Sequence, residues 1–261
     1  MINKLDNFPP IHFISVDYSL ERRKRLYKKF LKYDIKNLTA HIYKKYSLHD
    51  YKIVSDNIET LSNDNLAAVT SHLRTIKSWY YGTDEPYAFF CEDDLSLETV
   101  EYWNFTWEEF FNRLPEDWEC VQLCWLRNNF YAFNVEFRTR CWCDWSACAY
   151  LIKRNYAKKL IDHYYYNDTF NLNLVAEDYS FRPFWAINPC SETIIFSPID
   201  TVIYTAPLFV EDIRFSPSYK IPEKQTKTND LEDHVNSYVE CMNWWKNVGK
   251  NTSLSEFMGS H

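Results

Sequence analysis

Glycine is nearly absent. The 261 residues include three, Gly82, Gly249 and Gly259. A Walker-type loop or a G-x-G-x-x-G turn needs clustered glycines so that backbone can approach a phosphate. Any nucleotide bound by this chain is therefore held another way. A basic excess is lacking too: 29 Lys and Arg against 36 Asp and Glu leave a formal charge of −7. That balance argues against a broad electrostatic grip on nucleic acid, while leaving room for a local basic pocket sized for one diphosphate. No run approaches the roughly 18 apolar residues of a membrane span. Residues 1–10 carry Asp6 and two prolines instead of an apolar signal core, so the expectation is a cytoplasmic chain without a transmembrane segment. The eight cysteines form no C-x-x-C unit. Most lie in apolar runs and read as small buried hydrophobes, with Cys141-Trp142-Cys143 the one pair spaced for a metal.

What is present is an ordinary globular balance, 46% apolar and 25% charged, with an unusual 18% of aromatic residues. A chain of this length buries about three quarters of its unfolded surface, enough for one α/β domain over residues 1–261. Apolar runs and helical periodicities alternate. Strands are expected at residues 11–16, 41–46, 87–91, 120–126, 147–152 and 193–196. Helices are expected at residues 19–33, from a cap at Asp64 to Gly82, and at 98–114, 155–163 and 231–245. Residues 216–229 are polar and read as an exposed loop.

Four groups carry chemistry. Glu92-Asp93-Asp94 follows an apolar strand directly, so it sits at the strand's C-terminal end, where open α/β sheets bind ligands. Three adjacent acids repel one another unless a cation neutralises them, and hard cations such as Mn²⁺ or Mg²⁺ prefer carboxylate oxygens. Alternation along an extended chain would put Glu92 and Asp94 on one side and Asp93 on the other. A solvated acidic turn that opens a helix would read the same way. Glu21-Arg22-Arg23-Lys24-Arg25 offers guanidinium forks for a diphosphate, or else a solvated helix face. Ser71-His72 lies within a helix, where a structural histidine is the ordinary alternative. Glu177-Asp178 follows an apolar segment, and either acid is placed for a general base or a helix start.

These pieces occur in the order found in a known family. Ile14-Ser15-Val16-Asp17 followed by Glu21-Arg22-Arg23 resembles the opening of the family 25 glycosyltransferases, which include lipooligosaccharide and collagen hydroxylysine galactosyltransferases. Residues 67–73 resemble that family's helix motif, and Phe90-Cys91-Glu92-Asp93-Asp94 its version of the D-x-D segment. Residues 149–160, 175–179 and 206–210 are similar to later motifs. The resemblance covers roughly residues 11–217, leaving 218–261 as an added loop and helix. Two departures stand out: Ala67-Ala68 in place of Gly-Cys, and Ser15 in place of Asn.

The resemblance implies a GT-A type fold, a Rossmann-like α/β/α sandwich with a mixed, mostly parallel sheet. It further implies a UDP-sugar donor bound by Ser15, Val16, Asp17, Arg22, Ser71, His72, Glu92 and Asp93, with Mn²⁺ or Mg²⁺ on Asp94, Glu92 and Asp93. An inverting transfer of galactose or glucose to a glycan or hydroxylysine-type acceptor would use Asp178 as base, with Glu177 as runner-up. Asp212 and His234 are candidates for a further metal ligand, and Trp142, Trp145 and Trp185 for an acceptor groove. Two rivals stay open: a catalytically degenerate carbohydrate-binding module, and a two-metal phosphoesterase. Donor sugar, acceptor and oligomeric state are likewise open.

Overall fold

The structure is a computed structural model that describes residues 3–44, 52–55, 62–126, 135–141, 143–173, 189–197, 199–213 and 228–259. Strand β1 (Ile11–Val16) is buried along nearly its whole length. Helix α1 (Leu20–Lys32) turns Arg23, Leu26 and Phe30 inward. Strand β2 (Leu38–Tyr43) returns parallel to β1, from Ile11 opposite Leu38 to Val16 opposite Tyr43. After the short β3 (Lys52–Val54) comes α2 (Asn63–Gly82). Its cap is Ser62, whose hydroxyl accepts from the Asn65 N–H, and not Asp64, which lies in the first turn. Leu66, Val69, Leu73 and Ile76 form the buried stripe that helical spacing predicts, with Trp79 rather than Tyr80 as its last buried member.

Strand β4 (Tyr87–Glu92) pairs parallel with β1 on the side away from β2. The chain thus leaves β1 in two directions. The strand-order reversal opens a crevice at the C-terminal ends of β1 and β4. The remaining main-sheet strands are β5 (Leu95–Ser96), β6 (Cys120–Cys124), β7 (Arg138–Thr139), β8 (Ala149–Lys153) and β11 (Ile203–Glu211). The order is β2-β1-β4-β8-β6-β11-β5, with β7 also on β11. β8 runs antiparallel to both β4 and β6, and β11 runs parallel to β6. Consequently β1, β2, β4, β6 and β11 point one way. Their C-terminal ends and the start of β8 share one edge.

Apolar clusters cover both sheet faces. One contains Leu26 and Phe30 of α1, with Phe13, Phe89, Leu208 and Trp245. The other joins α2 to α4 (Arg154–Tyr164) through Leu73, Ile76, Tyr156 and Leu160. Each fully buried side chain of this size contributes about 1.5–3 kcal/mol. A small second sheet pairs β3 with β10 (Thr169–Asn171) and β10 with β9 (Tyr165–Tyr166). The α/β/α layering and mostly parallel sheet agree with the sequence expectation.

Two expected elements differ. The single helix over residues 98–114 is instead a 3₁₀ turn at Glu98–Tyr102 and a separate α3 (Trp107–Phe111). Trp103 and Phe105 stack between them, both buried, and a capping box of Thr106 and Glu109 restarts the helix. The strand expected at residues 193–196 is helix α5 (Ser191–Ile195). Short apolar runs do not reveal their period, and here the Cys190 carbonyl accepts both the Ile194 N–H and the Thr193 hydroxyl. The final helix forms as α6 (Thr228–Asn247), burying Cys241, Met242 and Trp245, whereas Val239 is exposed. Helix α7 (Leu254–Met258) packs Phe257 beneath it. Among the described residues, no helix is long and apolar enough to cross a membrane.

Candidate functional site

The acidic triplet closes β4 at the crevice. Asp93 and Asp94 form a turn, so strict alternation ends at Glu92. The side chains divide differently from the extended-chain expectation. Asp93 and Asp94 both take Arg22, whose guanidinium lies 2.6 Å from an oxygen of each. Glu92 faces His72, with Nε2 3.1 Å from Oε1. All three acids are thus engaged, and Asp93 and Asp94 are buried.

Helix α1 supplies the counter-charges because its first turn lies directly over the end of β1. The basic run does not act as one unit. Glu21, Lys24 and Arg25 are exposed, whereas Arg22 and Arg23 turn inward. Arg23 donates to the Ser15 hydroxyl at 3.0 Å, to the Val16 carbonyl, and to the Asp17 carbonyl at 2.9 Å. Ser15 in turn donates to Asp93. The loop after β1 is therefore pinned by a guanidinium fork, and one network joins Ser15, Val16, Asp17 and Arg22 to the acids. The Nε of Arg22 is buried and has no hydrogen-bond partner among the described residues. A buried N–H normally has an acceptor, so this one is a donor available to an incoming anion.

His72 is fixed from both sides. Its Nδ1 is 2.8 Å from the Tyr150 hydroxyl, and Tyr150 stacks on Phe90 with rings 5.4 Å apart and 8° from parallel. Ser71 is half-buried beside it on α2. Tyr150 is a site residue that sequence reading passed over, hidden as one apolar position of the buried strand β8.

Environment separates the three carboxyls. Burial raises Asp94, and Glu92, Glu211 and Asp93 add to this against the pull of Arg22, so that its carboxyl is pushed up to about 7. Asp93 is also raised, chiefly by burial, against Arg22 and Ser15. Burial opposes charge at Glu92 as well, but the hydrogen bond and charge of His72, with Arg22, outweigh it and hold Glu92 below the usual carboxylate range.

The same edge carries further acids. Glu211 ends β11, accepting from the Ser146 hydroxyl at 2.6 Å and facing Nδ1 of His234 at 2.6 Å. Asp212 is bound by Lys29 at 2.8 Å, and its N–H donates to the Asp94 carbonyl. Of the two expected further ligands, Asp212 is thus committed to a lysine, and His234 stands beside Glu211. Glu211 was legible by the rule that finds Glu92, an acid closing an apolar strand.

Other expected residues fall elsewhere. Glu177, Asp178, Trp142 and Trp185 lie outside the described residues. Trp145 is half-buried and bridges by backbone to Leu126. Cys141 and Cys143 have sulfurs 3.0 Å apart, and the contact with Cys143 brings Cys141 down to about 6. A cavity of about 910 Å³ is lined by Tyr43, Lys52, Arg74, Lys77, Tyr165 and Phe170, among other residues, and by none of the acids of the turn. Electrostatics and strand order mark the acidic turn, not this cavity, as the site where chemistry is concentrated.

No protein-family model and no curated protein matches the chain. Among solved structures it is similar to A197 from STIV, with TM-score 0.41, 11% identity, and coverage of 77% of this chain and 83% of that one. It is also similar to the glycosyltransferase GlyE of Streptococcus pneumoniae TIGR4. The apo form gives TM-score 0.33, 12% identity, and coverage of 92% of this chain and 63% of GlyE. A second GlyE structure gives the same TM-score and identity, with 64% of GlyE covered. The chain therefore spans less than two thirds of GlyE. The resemblance to the family 25 glycosyltransferases rests on the sequence motifs alone.

Proposed function

We propose that this chain is a metal-dependent glycosyltransferase that moves a hexose from a UDP-sugar to a glycan or hydroxylysine-type acceptor. The observation that carries the reading is the acidic turn itself. It sits at the strand-order reversal, with a guanidinium already bridging two of its carboxylates. Its hard oxygen donors suit Mn²⁺ or Mg²⁺. Asp94, Glu92 and Asp93 are the residues that would hold the ion. Bound there, the ion would supply positive charge for the leaving diphosphate.

The chain's own residues account for the rest. Arg22, whose buried Nε has no partner among the described residues, would donate to a phosphate oxygen of UDP. Arg23 holds Ser15, Val16 and Asp17 in place as the wall for the nucleoside. His72, positioned by Tyr150, keeps Glu92 ionised at the donor side. Asp178, or failing that Glu177, is the proposed base that removes the acceptor hydroxyl proton as the hydroxyl attacks the anomeric carbon with inversion.

The test is UDP release from a panel of UDP-sugars, with Mn²⁺ or EDTA, by wild type and Asp94→Ala. Release from one donor, lost with EDTA and lost at least 100-fold in the variant by the usual scale of electrostatic catalysis (about 10²–10³), is the expected result. No release from any donor by folded protein overturns it in favour of a binding module. Hydrolysis of a plain phosphodiester without sugar transfer would indicate a phosphoesterase.

A further inference from the structure

Six strand ends share this edge, and two of them carry thiols. Cys124 ends β6, and Cys148 immediately precedes β8. The antiparallel register of these strands pairs Cys120 with Ile152 and Gln122 with Tyr150. Continued by two residues, it sets Cys124 opposite Cys148. Glu211, at the end of neighbouring β11, completes a group in which both sulfurs and a carboxylate oxygen lie within 4.8 Å of one another. It is the one such group of three or more ligand-type residues among the described residues.

We propose that Cys124, Cys148 and Glu211 form a binding site for a borderline-soft divalent cation of the Zn²⁺ type, directly behind the hard acidic turn. The site does not depend on the glycosyl-transfer reading. Zinc bonds of about 2.3 Å to sulfur and 2.0–2.2 Å to oxygen place tetrahedral ligands roughly 3.3–3.8 Å apart. Small side-chain rotations close the group to that spacing. Two thiolates select such a cation over Mg²⁺ or Mn²⁺. On binding, each thiol releases its proton to solvent and forms one metal–sulfur bond, and the Glu211 carboxylate donates an oxygen lone pair. No redox step is involved.

The surroundings distinguish these two cysteines from ordinary buried ones. Cys124 and Cys148 are 1% and 2% exposed, like Cys120 and Cys241, yet a carboxylate lies against them. Asp94 stands 3.5 Å from the Cys148 sulfur as well. Glu211 is oriented by groups on both oxygens, Ser146 on Oε1 and His234 on Oε2. Outer partners of this kind aim metal ligands. Ser146 itself has φ +84°, a left-handed conformation that is strained for a non-glycine residue. From that conformation its hydroxyl reaches Glu211 and accepts the Cys148 N–H at 3.1 Å. Strain is thus retained where it fixes a ligand and the backbone of its neighbour.

The experiment is titration of metal-depleted protein with Co²⁺, an optical stand-in for Zn²⁺. Expected is a thiolate-to-cobalt charge-transfer band in the near ultraviolet that saturates at one equivalent and is bleached by Zn²⁺. The band should vanish in Cys124→Ser and in Cys148→Ser, and persist in Glu92→Gln and Cys141→Ser. Cys124→Ala and Cys148→Ala keep the volume of a small hydrophobe and serve if the serine variants unfold; Zn²⁺ should raise the melting temperature of wild type and not of these. A wild type without the band, or a band lost in Cys141→Ser and kept in Cys124→Ser, overturns the proposal. Donor turnover without the band defeats this inference alone, and the band without turnover defeats only the proposed reaction.

Discussion

His12 and His41 lie on adjacent strands with their ring nitrogens 3.0 Å apart. His12 packs flat on Phe90. Burial lowers both to about 4, and His12 adds to the effect at His41. An unfolded histidine titrates near 6.5. Between about 4 and 6.5 the unfolded chain therefore binds protons that the folded chain refuses. The pair's contribution to stability is fully present above pH 6.5 and is lost as the pH drops towards 4, while Asp94, pushed up to about 7, slopes the opposite way over the same window. Measured as the difference between wild type and His12→Phe in urea unfolding, the pair's share should fall by roughly 2 kcal/mol across that window, from the linkage of two such shifts discounted for partial exposure. His12→Phe should flatten the fall; an unchanged slope would remove the pair as its source. At the same scale, composition identified the acids and arginines of the site but not their pairing. Arg22 and Arg23 are adjacent in a run of charges, yet one holds the acids and the other holds the loop.

At the scale of elements, strong periodicity was readable and short elements were not. Strands β1, β4, β6 and β8 and helices α1, α2, α4 and α6 all follow from apolar runs or helical spacing within a few residues. The two-residue β5 and β7 and the small sheet carry no pattern, because two or three residues cannot display a period. Their pairing is set by the longer strands beside them. Helix α3 shows local chemistry outweighing a longer pattern. Thr106 accepts from the Glu109 N–H at 3.2 Å, and the Glu109 carboxylate accepts from the Thr106 N–H at 2.7 Å. Thr106→Ala should cost about 1 kcal/mol, visible as a lower urea midpoint with an unchanged slope. A neutral result would mean that packing of Trp107 and Phe110 alone holds the turn.

At the scale of the whole molecule, the C-terminal segment is part of the fold. Trp245 is fully buried, touches Trp103, Phe105 and Phe257, and donates its indole N–H to the Pro207 carbonyl at 3.0 Å. Gly249 lies so close to Trp244 and Trp245 that a Cβ there would overlap both indoles. Helix α6 thereby closes one face of the sheet beside β11, the strand that delivers Glu211. Trp245→Ala should destabilise by about 3–5 kcal/mol, lowering the melting temperature of the whole domain in one transition. A separate early transition confined to the C-terminus would mean that α6 is an independent appendage.

The sequence by itself determined which segments are buried, that an acidic turn ends an apolar strand, and that no glycine loop cradles a phosphate. These are properties of neighbours in the chain, where hydrophobic periodicity and local charge act directly. Only the tertiary structure decided that β8 inserts antiparallel between β4 and β6, that Arg22 bridges Asp93 and Asp94, and that residues 94, 124, 148 and 211 share one edge. Such placements depend on which strands pair and in what register. That choice is made by burial of both sheet faces against the entropy of closing long loops, and no local stretch of sequence records it.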